Sequence, residues 1–409
     1  MNLNLEDIKE AAKVISGVCV RTPTLPSRTL SNIAGANVFL KFENLQFTGS
    51  FKDRGALVKL SRLDKAAAKV GVIAMSAGNH AQGVAYHAQN LGVPATIVMP
   101  RFTPFNKVRH TQGFGARVVL EGDTLEESKA HADMLAEKEG LTFIHPYDDD
   151  DIMAGQGTAA LEMLADYPEI DTLIIPVGGG GLISGCTIAA KGLNPDIKIV
   201  GVEAALYPSM QRALAGGEQI IGGQTIADGI AVKAVGQRAI EIAREHVSEI
   251  VSVTEAQIEE AIVLYMEIEK TVAEGAGATA LAALIAHPEM FTGRNCGLII
   301  SGGNIDSRLL ASVISRGLVR QGRIVSLRVE ISDQPGALAQ IATLVGEAGA
   351  NIIEVAHHRL FSDVPVKGAD LDLMIETRDP EHGREVVARI TAAGHTVTQM
   401  SITAAGGAS

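Results

Sequence analysis

Apolar and polar positions follow two rhythms that alternate along this chain. Leu5, Ile8, Ala12 and Ile15 recur at helical spacing, which predicts a helix over 5–16. Thr22-Pro23-Thr24 interrupts that pattern, and residues 37–43 then alternate as a strand does. Short β-rich runs follow at 71–75, 95–99 and 117–120, each succeeded by a helical pattern: about 79–91, from near Pro104, and 124–138. The alternation resumes with strands predicted at 172–177, 197–203, 250–253 and 296–300, and long helices between them. Strands and helices in strict succession are the signature of parallel sheets covered by helices. The expectation is an α/β core of two lobes, the smaller over about 48–150 and inserted in the larger.

The pattern changes after Arg323. Strands are predicted at 324–331, 351–360, 369–376 and 395–402, with helices from Asp333-Gln334-Pro335-Gly336-Ala337-Leu338 to Gly346 and over 381–392. The order βαββαβ is the ferredoxin-like arrangement. The expected domains are therefore 1–322 and 323–409, with a frayed end after Ala404.

Composition narrows the function classes. With 46% hydrophobic and 20% charged residues, the 409-residue chain can bury large cores. Its net charge of −12, without a basic block, argues against nucleic acid and anionic membrane surfaces. No apolar run reaches the length of a membrane span, and Glu6 and Asp7 do not suit a signal peptide. Cys19, Cys186 and Cys296 lack metal-ligand spacing and read as thiols of a reducing cytoplasm. The run Asp148-Asp149-Asp150-Asp151 reads as a solvated loop capping the next helix.

Candidate chemistry sits where strands turn into helices. In Thr48-Gly49-Ser50-Phe51-Lys52-Asp53-Arg54-Gly55, Gly49 and Ser50 read as a turn and N-cap, which puts Lys52 in a first helical turn. The positive end of the helix dipole disfavours an ammonium there, and lysines so perturbed form Schiff bases with carbonyls. Gly178-Gly179-Gly180-Gly181-Leu182 joins a buried strand to a helix. Consecutive amides and the helix N-terminus would hold one phosphate there, and the P-loop Lys-Ser/Thr is missing. Ser76-Ala77-Gly78-Asn79-His80 and Ser301-Gly302-Gly303-Asn304 occupy two further strand ends. A lysine beside an aromatic ring, a loop for one phosphate and polar strand ends together suggest pyridoxal phosphate.

With Ala154-Gly155-Gln156-Gly157-Thr158 between them, these segments occur in an order that resembles the threonine dehydratases (threonine ammonia-lyases), fold-type II pyridoxal-phosphate enzymes. The resemblance covers residues 1 to about 320. It implies that Lys52 forms the Schiff base with the cofactor and that Phe51 packs on its ring. It implies further that Asn79 meets the ring hydroxyl, that Gly178, Gly179, Gly180, Gly181 and Leu182 hold the phosphate, and that Ser301 faces the ring nitrogen. Ser76, Ala77, Asn79 and His80 would clasp the substrate carboxylate. Glu203 matches a position that helps bind a structural cation in relatives; Ser209 stands where the serine-racemase branch has a second carboxylate, so a monovalent ion is as plausible as a divalent one. The racemase branch also has a serine where this chain has Ala77.

The tail resembles an ACT domain through Asp333 to Leu338 and Asn351-Ile352. Such domains bind amino acids near the turn at Gly336, Ala337 and Leu338, at an interface of two copies, which implies an amino-acid effector and a homo-oligomer. His357 and His358 are adjacent on a strand and point to opposite faces, against a metal role. The implied activity is conversion of L-threonine to 2-oxobutanoate and ammonia, and of L-serine to pyruvate, in isoleucine biosynthesis or threonine catabolism. Alternatives are another β-hydroxy amino acid, such as 3-hydroxyaspartate or phenylserine, and a non-catalytic amino-acid sensor. A pure sensor would not need Lys52.

Overall fold

Three sheets carry the alternation predicted above. A computed structural model describes residues 3–216, 221–358 and 368–400, and the predicted strand ends at 359–360 and 401–402 and the expected frayed end lie outside them. The chain divides into two compact units, residues 1–305 and 306–409.

The first unit holds two sheets. The larger one has the strand order Thr24–Ser27, Asn37–Lys41, Asn295–Ile299, Thr172–Pro176, Lys198–Ala204, Glu249–Val253. All its pairings are parallel except the outermost, where Thr24–Ser27 runs antiparallel to Asn37–Lys41. The apolar pattern alone predicts only a break at Thr22–Thr24. Pro26 disguises the strand, and proline is tolerated there because the strand is an edge. The smaller sheet is parallel, in the order Arg117–Leu120, Ala95–Met99, Val72–Met75, Thr142–Phe143. Its last strand is too short to show any periodicity.

The second unit contains a four-stranded antiparallel sheet ordered Asn351–His358, Gly368–Glu376, Ile324–Ser332, Val397–Met400. Helices Ala337–Glu347 and Pro380–Ala392 complete the βαββαβ order, and alternate strand residues such as Leu327, Val329, Leu371 and Leu373 form its core with Ile341 and Val386. The unit boundary precedes the composition change, because helix Ser307–Arg320 groups with this unit.

What positions the site is a stack of three helices. Asp150–Asp166 lies between Lys52–Ser61 on one side and Gly181–Leu193 on the other. Contact is backbone to backbone. A Cβ at Gly155 would lie 2.5 Å from the Gly55 Cα, and one at Gly185 would lie 2.0 Å from the Met153 carbonyl oxygen. The Gly155-Gln156-Gly157 segment thus sets the separation between the lysine helix and the tetraglycine helix.

A buried ionic lattice fixes the rotation of the lysine helix. Arg54 is fully buried, and each of its nitrogens is engaged: with both Glu43 oxygens at 2.7 and 2.8 Å, both Glu162 oxygens at 2.8 Å, and Thr158 Oγ1 at 3.0 Å. Lys41 Nζ also donates to Glu162, at 2.6 Å, and to the Thr22 carbonyl at 2.7 Å. A buried charge stripped of its partner costs about 3–5 kcal/mol. Helix Lys52–Ser61 therefore has one favourable orientation, two residues from Lys52.

Candidate active site

Lys52 is the first residue of its helix. The expected N-cap differs: Phe51 occupies that position without a side-chain cap, while Ser50 is buried and its hydroxyl is unpartnered. The reason is that Ser50 is committed to a bridge with Gly302. The Phe51 amide donates to the Ser301 carbonyl at 3.0 Å and the Gly303 amide to the Gly49 carbonyl at 2.9 Å, so the lysine turn is stitched to the Ser301–Asn304 loop. Lys52 Nζ donates to the Pro146 carbonyl at 2.7 Å and lies 5.1 Å from the centre of the Phe51 ring. Burial pulls the ammonium down to about 8, and the charge of Glu274 opposes that shift.

The Ser76–His80 loop enters helix Asn79–Leu91. Ser76 Oγ accepts from the Gly78 amide at 3.1 Å, so this hydroxyl shapes the loop. His80 is buried, and its Nε2–H donates to the Ile144 carbonyl at 3.0 Å. Burial, and then the nearby Lys52 charge, push the imidazolium down to about 3, so His80 is neutral at any physiological pH. Asn79 Nδ2 donates to Glu274 Oε1 at 2.7 Å, while Asn304 Nδ2 donates to Asn79 Oδ1 at 2.8 Å and to the Thr48 carbonyl at 2.7 Å. Three predicted segments, around Lys52, Asn79 and Ser301, are thereby brought together.

The tetraglycine loop joins them through residues 146–147. Lys52 is held by the Pro146 carbonyl, and the adjacent Tyr147 packs on the loop: a Cβ at Gly179 would meet the Tyr147 ring at 2.2 Å. Tyr147 Oη donates to the Ala234 carbonyl at 2.9 Å, and Asp148 accepts from the Gln237 amide at 3.1 Å. The last sheet bond on this strand runs from the Val177 amide to Val202. Beyond it, no hydrogen bond of the described residues uses the amides of Gly178, Gly179, Gly180, Gly181 or Leu182, and helix Gly181–Leu193 has no side-chain cap. Five unclaimed donors at a helix N-terminus beside a lysine of lowered pKa fit a phosphate-bearing aldehyde. The residues present therefore suit pyridoxal phosphate.

The remaining predicted positions lie elsewhere. Both Glu203 oxygens are used at the start of helix Ser209–Ala215, accepting from the Met210 amide at 2.6 Å and the Gln211 amide at 3.0 Å. Burial raises this carboxyl to about 7. Ser209 Oγ donates to the Val232 carbonyl. Among the described residues no group of His, Cys, Asp and Glu is arranged to hold a metal ion. In the second unit, Gly336 (φ +93°) precedes helix Ala337–Glu347, whereas Asn351 and Ile352 begin the strand after it. Within one copy these effector positions are separated by a helix roughly 16 Å long. His358 lies 3.4 Å from Asp372, which pairs with Arg328.

Pro146, Tyr147 and Glu274 belong to the site without standing in any motif legible in the sequence. The available signal for Glu274 was one carboxylate heading the run Gly275-Ala276-Gly277-Ala278, where small residues signal close packing.

Comparison with known proteins identifies the family. Residues 15–302 match the family model described as pyridoxal-phosphate dependent enzyme, and residues 325–395 match the ACT domain. An L-threonine ammonia-lyase of Thermotoga maritima is 44% identical over 97% of this chain and 99% of its own length. The crystal structure of a T.th. threonine deaminase is 41% identical with a TM-score of 0.70, covering 74% of this chain and 99% of that one. Serine racemase from Dictyostelium discoideum is 38% identical with a TM-score of 0.70, over 74% of this chain and 99% of that one.

Proposed function

This chain belongs to the pyridoxal-phosphate dependent enzymes and carries an ACT domain, and from that membership we propose that it is an L-threonine ammonia-lyase. It converts L-threonine to 2-oxobutanoate and ammonia, and L-serine to pyruvate and ammonia. The observation that carries the reading is the lysine of lowered pKa joined through Pro146 and Tyr147 to a loop of unclaimed amides.

Bound pyridoxal phosphate supplies the electron sink that acidifies the substrate Cα–H. The chain's own residues do the rest. The amides of Gly178 to Leu182 would hold the phosphate dianion, and the positive end of helix Gly181–Leu193 would add to that attraction. Lys52 accepts the Cα proton. Its pKa, lowered to about 8, leaves part of the amine unprotonated near neutral pH, and the Pro146 carbonyl can receive the N–H it gains. His80, held neutral, adds no second positive charge beside Lys52. The Ser76–His80 loop would receive the substrate carboxylate, and Ser301 would serve the cofactor ring nitrogen. Loss of the β-hydroxyl as water leaves an enamine, which takes up water and releases ammonia and the 2-oxo acid.

The test is a kinetic panel of L-threonine, L-serine, 3-hydroxyaspartate and phenylserine, with chiral analysis of residual serine. We expect threonine to give the highest kcat/KM. D-serine should scarcely form, because return of a proton from the face opposite Lys52 needs a donor, and the Ala77 methyl has none. Ala77→Ser should raise the racemised fraction. D-serine made by the unmodified enzyme as fast as pyruvate would sink the elimination-only reading, and a clear preference for phenylserine or 3-hydroxyaspartate would displace threonine.

The ACT domain gives the enzyme amino-acid control, with the effector received around Gly336, Ala337, Leu338, Asn351 and Ile352 at an interface with a second copy. The separation of these positions within one copy supports a homo-oligomer. The free thiols fit a cytoplasmic enzyme. The T.th. threonine deaminase chain is covered almost entirely by a match to 74% of this one, so the catalytic part has a relative of its own size. A chain ending near Gly322 should keep turnover and lose any amino-acid response. If full-length enzyme responds to no proteinogenic amino acid, the domain is structural here.

A further inference from the structure

Side-chain amides have two ends of nearly equal shape, and their neighbours decide which end faces where. Asn79 is read above as the partner of the cofactor's ring hydroxyl, and its amide has two protein neighbours. Asn304 Nδ2 donates to Asn79 Oδ1 at 2.8 Å, and Asn79 Nδ2 donates to Glu274 Oε1 at 2.7 Å. Resting on that reading of Asn79, we propose that Glu274 is a positioning residue that holds the Asn79 amide with its Nδ2 on the donor side, and that protonation of Glu274 releases this hold.

Two further observations support the assignment. Gly302 leaves room for the pair, since a Cβ there would lie 2.4 Å from Glu274 Oε1 and 3.2 Å from Asn79 Nδ2. The Glu274 amide donates to the Gly302 carbonyl at 3.0 Å, which fixes the carboxylate's backbone to the same loop. An ionised carboxylate only accepts, so it demands the N–H end of the amide; a protonated one can donate and admits the other end.

The surroundings make that change accessible. Glu274 is buried, and burial, then the charge of Asp228, lift it to about 7; Asn79, Lys107 and the Asn304 amide oppose the lift. Lys52 faces it from the lysine helix, Lys107 from helix Phe105–Gly113 and Asp228 from the turn Asp228–Ile230. Lys107 and Asp228 are themselves paired at 2.9 Å. With the folded value above the usual 4.5, Glu274 keeps its proton as pH rises until about 7, so the hold on Asn79 is present above that pH and lost below it.

The experiment titrates the apoprotein with pyridoxal 5'-phosphate from pH 6 to 8.5, following visible absorbance, for wild type, E274Q, E274A and N79A, with kcat profiles alongside. Wild-type cofactor affinity should weaken as pH falls through about 7. E274Q should bind at every pH as wild type does below about 7, because a glutamine amide, like the protonated carboxyl, offers both a donor and an acceptor and no longer titrates. E274A should bind roughly ten- to hundredfold more weakly at high pH, as expected for loss of a hydrogen bond to a charged group. E274Q that keeps the wild-type pH limb would overturn the proposal even if E274A does not fold. So would E274A with wild-type affinity while N79A binds weakly. N79A that binds as wild type would instead refute the placement of Asn79 at the cofactor.

Discussion

Lys52→Ala should abolish 2-oxobutanoate release from L-threonine and the visible absorbance expected of the enzyme covalently linked to its cofactor. Removing the base alone is worth roughly 10²–10⁴-fold in rate. The covalent link to the cofactor is lost as well, so the residual rate should fall below detection. The two lysines nearest in sequence cannot step in: Lys59 is paired with Asp149 at 2.7 Å and Asp151 at 3.1 Å, and Lys41 is buried against Glu162. Lys52→Arg should fail equally, because a guanidinium stays protonated where the lysine is pulled down to about 8. The phosphate loop does not depend on this side chain, so Lys52→Ala apoprotein should still bind pyridoxal 5'-phosphate reversibly, without that absorbance. An alanine variant that turns threonine over at a near-normal rate would remove Lys52 from the mechanism.

The parts of this site that could be read from the sequence are those that obey local rules. A glycine run after a buried strand, and polar loops at the ends of parallel strands, announce a ligand wherever the rest of the chain goes. The lobes and the βαββαβ tail were equally legible, because long periodic segments dominate them. What was not legible depends on contacts distant in sequence. Asn79 meets Glu274 across 195 positions, and neither residue's neighbours betray the other. Ser50 carried every local sign of an N-cap, yet its bridge to Gly302 puts Phe51 in that place. The Ala154–Thr158 segment was legible only as a resemblance. Its physical meaning, glycines that let one helix touch two others, required both partner helices to be in view.

Gly179→Ala should deprive the enzyme of its cofactor while leaving the fold in place. The added Cβ would lie 2.2 to 2.4 Å from the Tyr147 ring atoms, far inside contact distance, so either the ring or the loop must move. The ring is poorly placed to yield. Its hydroxyl is bonded to the Ala234 carbonyl, and its backbone amide points at His145 Nδ1, 3.3 Å away. If the ring yielded by moving its backbone, the adjacent Pro146 carbonyl that holds Lys52 would be displaced as well. If the loop shifted instead, the amides of Gly178 to Leu182 would no longer converge on the phosphate. Overpacking of this kind costs about 1–3 kcal/mol. Borne by the bound state, that weakens cofactor affinity roughly 5- to 150-fold. Titration of the apoprotein with pyridoxal 5'-phosphate, with melting temperature measured in parallel, reads both quantities. Tyr147→Ala should partly rescue the variant, because it removes the atoms that the new methyl strikes, and the double mutant should bind better than additivity allows. Wild-type affinity in Gly179→Ala would mean that the loop is not held against Tyr147 when it grips the phosphate.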